Sequence, residues 1–336
     1  MRHKLIYVGI LLTSLGFAGC HKNDITTTTL GNWIERSDFD GNARSNAAAF
    51  VIGNAAYMGT GFDGQERLND FWEYDPGVNA WIQKANFPGS ARSNAVGFAV
   101  DGKGYITTGY DGVNYLGDTY QYDPTSNSWT QVANFGGTPR YGATGFGIGD
   151  TGYVTCGYDG RYLKDFWAYV PSSNQWIQEV SMGGNKRIFA TSFVINNIAY
   201  LFGGSDNGAE VNDFWAYNPS TGFWTQKRDI SNANDSSYDA TYTTIARDQA
   251  AAFVVGDTAY VATGENPSML NEIWQYDPNV DIWTARTAFP GTVRVGAVGF
   301  SVDNRGFIAT GGNGGTGVYD DLWEFQPYVQ SGTNTP

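Results

Sequence analysis

Small and large side chains alternate along this chain in short bursts, and the same burst returns six times. Arg occurs at 44, 92, 140, 187, 247 and 294. Three residues after each stands Ala, at 47, 95, 143, 190, 250 and 297. Five after is a small residue, Ala49, Gly97, Gly145, Ser192, Ala252 or Gly299, and six after is Phe, at 50, 98, 146, 193, 253 and 300. A two-residue period puts the small residues on one face of a strand and Phe on the other. That asymmetry suits an inner strand crowded against an axis.

A second strand follows, carrying Tyr57, Tyr105, Tyr153, Tyr200, Tyr260 or Phe307, with Gly61, Gly109, Gly157, Gly204, Gly264 or Gly311 four residues on. A third begins as Asp70-Phe71-Trp72-Glu73-Tyr74 and returns at Asp118, Asp165, Asp213, Glu272 and Asp321. Turns such as Asp75-Pro76 lead to a fourth strand holding Trp81, Trp129, Trp176, Trp224 or Trp283. Trp33-Ile34-Glu35-Arg36 matches that fourth strand without the three that should precede it, and the sixth repeat lacks one. The N-terminal strand is therefore expected to complete the last repeat and close a ring, which removes the free sheet edges. Four strands per repeat of 47 or 48 residues predict an all-β, six-bladed β-propeller. It is expected over residues 33–328, with a tail at 329–336. All eleven Trp fall on the third and fourth strands, a fixed register that marks scaffold.

Arg44, Tyr57, Gly61, Tyr74 and Trp81, with their repeats, resemble the kelch motif across most of the chain. Kelch repeats usually carry a Gly pair after the second strand. Here only Gly203-Gly204 keeps it, and Thr60, Thr108, Cys156, Thr263 and Thr310 replace the first Gly elsewhere. The resemblance implies the propeller and leaves function open, because propellers host enzymes and binders alike. Galactose oxidase, a kelch propeller, uses Tyr and His to hold copper. The only His here are His3 and His21, outside the predicted propeller, so neither a metal nor a cofactor is expected. The resemblance to six-bladed N-acetylneuraminate epimerases implies an alternative, a sugar mutarotase using Glu66 and Glu265 with the Arg set.

Antiparallel strands place the loops between strands two and three, and between strands four and one, on a single face. The opposite face receives short turns of near-constant length. Trp to Arg is eleven residues in five connections and 23 in one, so residues 229–245 contain an insertion, with Tyr238 and Tyr242 inside it. Variable loops on a rigid scaffold are where function concentrates. Phe62, Tyr110 and Tyr158, each followed by Asp63, Asp111 or Asp159, put an aromatic and an acid on that face. They suit sugar recognition, although a Gly-Asp turn explains the acids as well. The six Arg are expected near the channel mouth. Equal numbers of Arg and strand-three acids favour structural pairing over a ring that binds anions.

Composition adds the setting. Net charge is −13, which argues against nucleic-acid binding. Arg2, His3 and Lys4 precede an apolar run over residues 5–18 that ends Leu15-Gly16-Phe17-Ala18-Gly19-Cys20. This resembles the lipobox of bacterial lipoproteins, with Phe17 where an aliphatic residue is usual. It implies a signal peptide over 1–19, lipidation of Cys20 and a Thr-rich tether over 20–32. The expected setting is the cell envelope, at the outer membrane, with the lipid as the only membrane contact. The expected partner is a glycan or an envelope protein bound to a monomer. Cys156 is the only other Cys and cannot build a disulfide framework. Cys20→Ser is predicted to leave the protein extractable from membranes without detergent, measured by fractionation and immunoblotting. Unchanged detergent dependence would refute the anchor.

Overall fold

The computed structural model describes residues 30–230, 242 and 244–330. The signal segment, Cys20, most of the tether, Tyr238 and the chain end lie outside the described residues. Six sheets of four antiparallel strands stand around an axis. Blade one is typical, with Ala48–Ile52 innermost, then Ala55–Gly59, Phe71–Asp75 and Ala80–Gln83. Blade six runs Val298–Val302, Arg305–Ala309, Leu322–Gln330, and its outer strand is Leu30–Glu35 from the other end of the chain. Trp33 pairs with Phe325 and Glu35 with Trp323, so the N-terminal strand closes the ring as the repeats required. This strand begins three residues earlier than the sequence pattern indicates. Its partner runs two residues past 328, because the pairing extends to Leu30 and Gln330.

Blades pack by inserting one side chain into the next sheet. Phe50 of blade one fills the space over Gly104 in blade two, where a Cβ would lie 2.0 Å from the ring. Phe98 meets Gly152 and Phe253 meets Gly306 in the same way. The small residues of each inner strand line the axis instead, where Ala47, Ala49, Gly97, Gly145 and their repeats enclose a narrow tunnel. Outer-rim aromatics interlock edge to face, as Phe71 does on Trp129 and Phe166 on Trp224.

At the loop end of the tunnel the inner strands are joined by a closed circle. The N–H of Asn94 donates to the carbonyl of Asn46 at 2.9 Å, Gly142 to Asn94, Phe189 to Gly142, Gln249 to Phe189, Gly296 to Gln249, and Asn46 to Gly296 at 2.8 Å. All six residues have positive φ, between 50° and 63°. Each blade therefore donates to the one before it, without a break.

Gly104→Val has no strained φ to contend with, only the Phe50 ring. It is predicted to cost about 1–3 kcal/mol through overpacking, read as a lower urea midpoint at unchanged slope.

Candidate functional site

The six Arg are fully buried and do not line the tunnel. The expectation that they ring its mouth is corrected. Asn46, Asn94, Gly142, Phe189, Gln249 and Gly296 line it with the Ala row beneath, around a cavity of about 160 Å³. Arg44 instead donates both terminal nitrogens to Asp70, at 2.7 and 2.6 Å, and a further bond to the Thr60 carbonyl at 2.8 Å. Arg92 does the same with Asp118 and Thr108, Arg140 with Asp165 and Cys156, and Arg294 with Asp321 and Thr310. Arg187 reaches Asp213 and the Gly203 carbonyl. Burial alone would raise the Asp70 and Asp165 carboxyls, but Arg44 and Arg140 outweigh it and hold both below the usual range. The guanidinium groups are committed to the fold and present nothing to a ligand.

Blade five departs from this pairing. Arg247 bonds the carbonyls of Thr244, Thr263 and Glu272, and no carboxylate pairs with it among the described residues. Burial without that partner lowers its pKa to about 10. The insertion precedes this Arg, and the part described here packs inward: Tyr242 lies against Trp274, with ring centroids 5.4 Å apart. Tyr242 is thus a packing residue.

The face is built by short bridges between each inner strand's start and the loop after strand two. Ser45 pairs with Phe62 and Phe62 with Arg67; Ser93 with Tyr110 and Tyr110 with Tyr115; Tyr141 with Tyr158 and Tyr158 with Tyr162. Blades four and five repeat this with Ile188, Ser205 and Glu210, then Asp248, Glu265 and Met269. The result is a rim with two unlike halves.

On blades one to three the rim is aromatic. Arg67 lies over Phe62 and Tyr110, 5.4 and 4.6 Å from their centroids. Tyr115 stacks on Tyr141 at 5.3 Å, and Tyr141 touches Tyr110, Tyr158 and Phe189. Tyr162 continues the row from Tyr158. Phe62, Tyr110 and Tyr158 are thereby brought together as the sequence suggested. Asp63, Asp111 and Asp159 take the turn role: Asp63 accepts the N–H groups of Gln65 and Glu66, Asp111 those of Val113 and Asn114, and Asp159 that of Arg161 and the Thr138 hydroxyl.

On blades four and five the rim is acidic. Burial, then the charges of Asp248 and Glu265, push Glu210 up to about 8. Burial and Glu265 push Asp248 up to about 6. Glu66 is exposed on blade one, and Glu265 sits on blade five, where its carboxylate accepts from the Gln249 amide at 3.5 Å. The described residues hold no cluster of His, Cys, Asp and Glu able to bind a metal ion.

Several partners escaped the sequence pattern. Phe39, Phe87, Phe135 and Phe289 stack on the buried Arg at 4.7–4.9 Å, and the available signal was an aromatic five residues before each of those Arg. Tyr115, Tyr141, Tyr162, Glu210 and Asp248 fall at register positions whose residue type changes from blade to blade.

The family model of the KLHDC2/KLHL20/DRC7 kelch-repeats domain matches residues 17–157 and 137–294. Comparison with curated proteins finds no match. Among solved structures, one described as the structure of YjhT superposes with a TM-score of 0.71, covering 85% of this chain and 95% of that one at 16% identity. A likeness at that identity is one of fold.

Glu210 has a folded pKa above its unfolded value, so the folded state keeps a proton that the unfolded chain has released. Stability is therefore predicted to fall as pH rises from about 5 to about 8 and to level off above, and Glu210→Gln to flatten that decline. Urea midpoints across this range would check it, and equal declines in both proteins would refute it.

Proposed function

The chain belongs to the kelch-repeat family, and from that footing we propose that it is a non-enzymatic binding protein of the bacterial cell envelope. It is anchored through Cys20 and recognises a glycan with its loop face. The observation that carries this reading is the aromatic row Tyr110, Tyr115, Tyr141, Tyr158 and Tyr162, continued to Phe62 through Arg67. Such rings offer flat apolar area with a polar edge, and cost little conformational entropy when they bind. Among the described residues the tunnel mouth beside the row is lined by Ala, Gly, Asn, Gln and Phe. An envelope protein is the other partner suited to such a surface.

A glycan array probed with the soluble domain separates these readings. Binding to array sugars is predicted, with Tyr115→Ala or Tyr158→Ala weakening it about tenfold or more. Asp123→Asn, in a turn on the opposite face, should leave affinity unchanged, with circular dichroism as the folding control. An array without binding, alongside crosslinking to one envelope protein through the same Tyr, would favour the protein partner. Full affinity in both Tyr variants would reject the face.

A further inference from the structure

Away from the tunnel mouth, a cleft of about 410 Å³ lies over blade four. Its walls are Gly183, Gly184 and Asn185 on one side, Glu210 to Asp213 on another, and Trp215, Gln226 and Asp229 below. That volume is within the range of small-molecule sites.

The cleft is where the repeat breaks its own rule. In blades one, three and six the strand-three Trp donates its Nε1–H to the Asp two residues earlier: Trp72 to Asp70, Trp167 to Asp165 and Trp323 to Asp321, at 2.7–2.8 Å. In blade five Trp274 donates to Thr244 instead. Trp215 has no such partner. Asp213 Oδ2 accepts the Asn185 N–H at 2.9 Å, and Arg187 holds the other oxygen. Glu210 Oε2 is likewise buried without a partner. Buried polar atoms are normally satisfied; Trp81, Trp224 and Trp283 on strand four also lack a partner, but Trp215 alone does so among the strand-three Trp, so blade four departs from the strand-three rule. Such departures concentrate at functional sites.

The chemistry of the lining selects a ligand class. Asn185 and Gln226 expose amides that both donate and accept. The charge of Asp213 is met by Arg187, and Asp229 accepts from the Gln226 amide. Burial holds Glu210 protonated near neutral pH, able to donate as well as accept. Gly183 and Gly184 pack closely on the indole, where a Cβ would lie 2.8 or 2.4 Å from it, as Gly136 and Gly137 do on Trp167 in blade three. An indole framed by amides and compensated acids suits an uncharged ring bearing several hydroxyls.

We propose that this cleft is a second binding site, for an uncharged hexose or N-acetylhexosamine unit, separate from the aromatic rim. It rests on the glycan reading only for its ligand class.

The test is saturation-transfer NMR and calorimetry on the soluble domain with glucose, galactose, N-acetylglucosamine and N-acetylgalactosamine. At least one is expected to bind, with Asn185→Ala and Gln226→Ala each weakening it about tenfold. Both side chains are exposed, so both variants should fold normally by circular dichroism. Tyr115→Ala should leave this monosaccharide binding unchanged. No binding of any of the four sugars, or binding that survives both cleft variants, overturns the site. Array binding lost in the Tyr variants, with none of the four sugars bound, would overturn the cleft while leaving the rim reading intact; monosaccharide binding lost only in the cleft variants, with array binding unchanged in both Tyr variants, would do the reverse.

Discussion

A guanidinium withdrawn entirely from water must find its hydrogen bonds and its counter-charge inside the protein, or the fold loses several kcal/mol at each one. Six such groups stand here, and much of the blade geometry follows from satisfying them. Asp at the head of strand three gives the charge, and the residue ending strand two gives a carbonyl. To present that carbonyl the chain turns through the left-handed region, where Thr60, Thr108, Cys156, Gly203, Thr263 and Thr310 have φ between 58° and 65°. A β-branched residue seldom adopts that conformation. Thr persists in four of the six because the surrounding bonds over-determine the backbone. At Gly203 a Cβ would sit 2.2 Å from the Arg247 carbonyl, which explains why this blade keeps the residue that the others have lost.

Blade five shows what happens when the arrangement is stretched. The longer connection brings the Thr244 carbonyl against Arg247, and Glu272, one methylene longer than Asp, contributes its backbone oxygen in place of its carboxylate. The guanidinium is still saturated with acceptors, and among the described residues no carboxylate is bonded to it. The same blade and its neighbour carry the raised carboxyls Glu210 and Asp248. The departure of Arg247 from the pairing and these two raised carboxyls thus fall in adjacent blades.

The fold was legible because its constraints repeat. Arg, Ala and Phe at fixed offsets specify an inner strand, and a lone Trp33 segment specifies how the ring closes. The role of the Arg was half legible: matching acids announced pairing, but total burial depends on Phe39, Phe87, Phe135 and Phe289 covering the guanidinium from the preceding connection. The site was less legible for the opposite reason. Tyr115, Tyr141 and Tyr162 occupy positions where the repeat imposes no residue type, and Tyr115 of blade two meets Tyr141 and Tyr158 of blade three. Tyr110 and Tyr158 could be noticed beside a Gly-Asp signature. Their neighbours carried no local mark. Asp63 and Asp111 illustrate the converse, since a conspicuous acid proved to be a turn-former.

The hydrogen-bonded circle at the tunnel mouth has an electrical consequence. Its six N–H to carbonyl dipoles run head to tail around the axis, all in one rotational sense. Dipoles laid tangentially on a closed loop sum to nearly nothing, unlike the aligned peptides of a helix, whose ends carry partial charge. The circle therefore adds no net dipole with which to draw in ions or orient a charged group. Any vectorial character of this face is imposed by the side chains around it, aromatic across three blades and acidic across two, like an unpainted dial on which only the markings give direction.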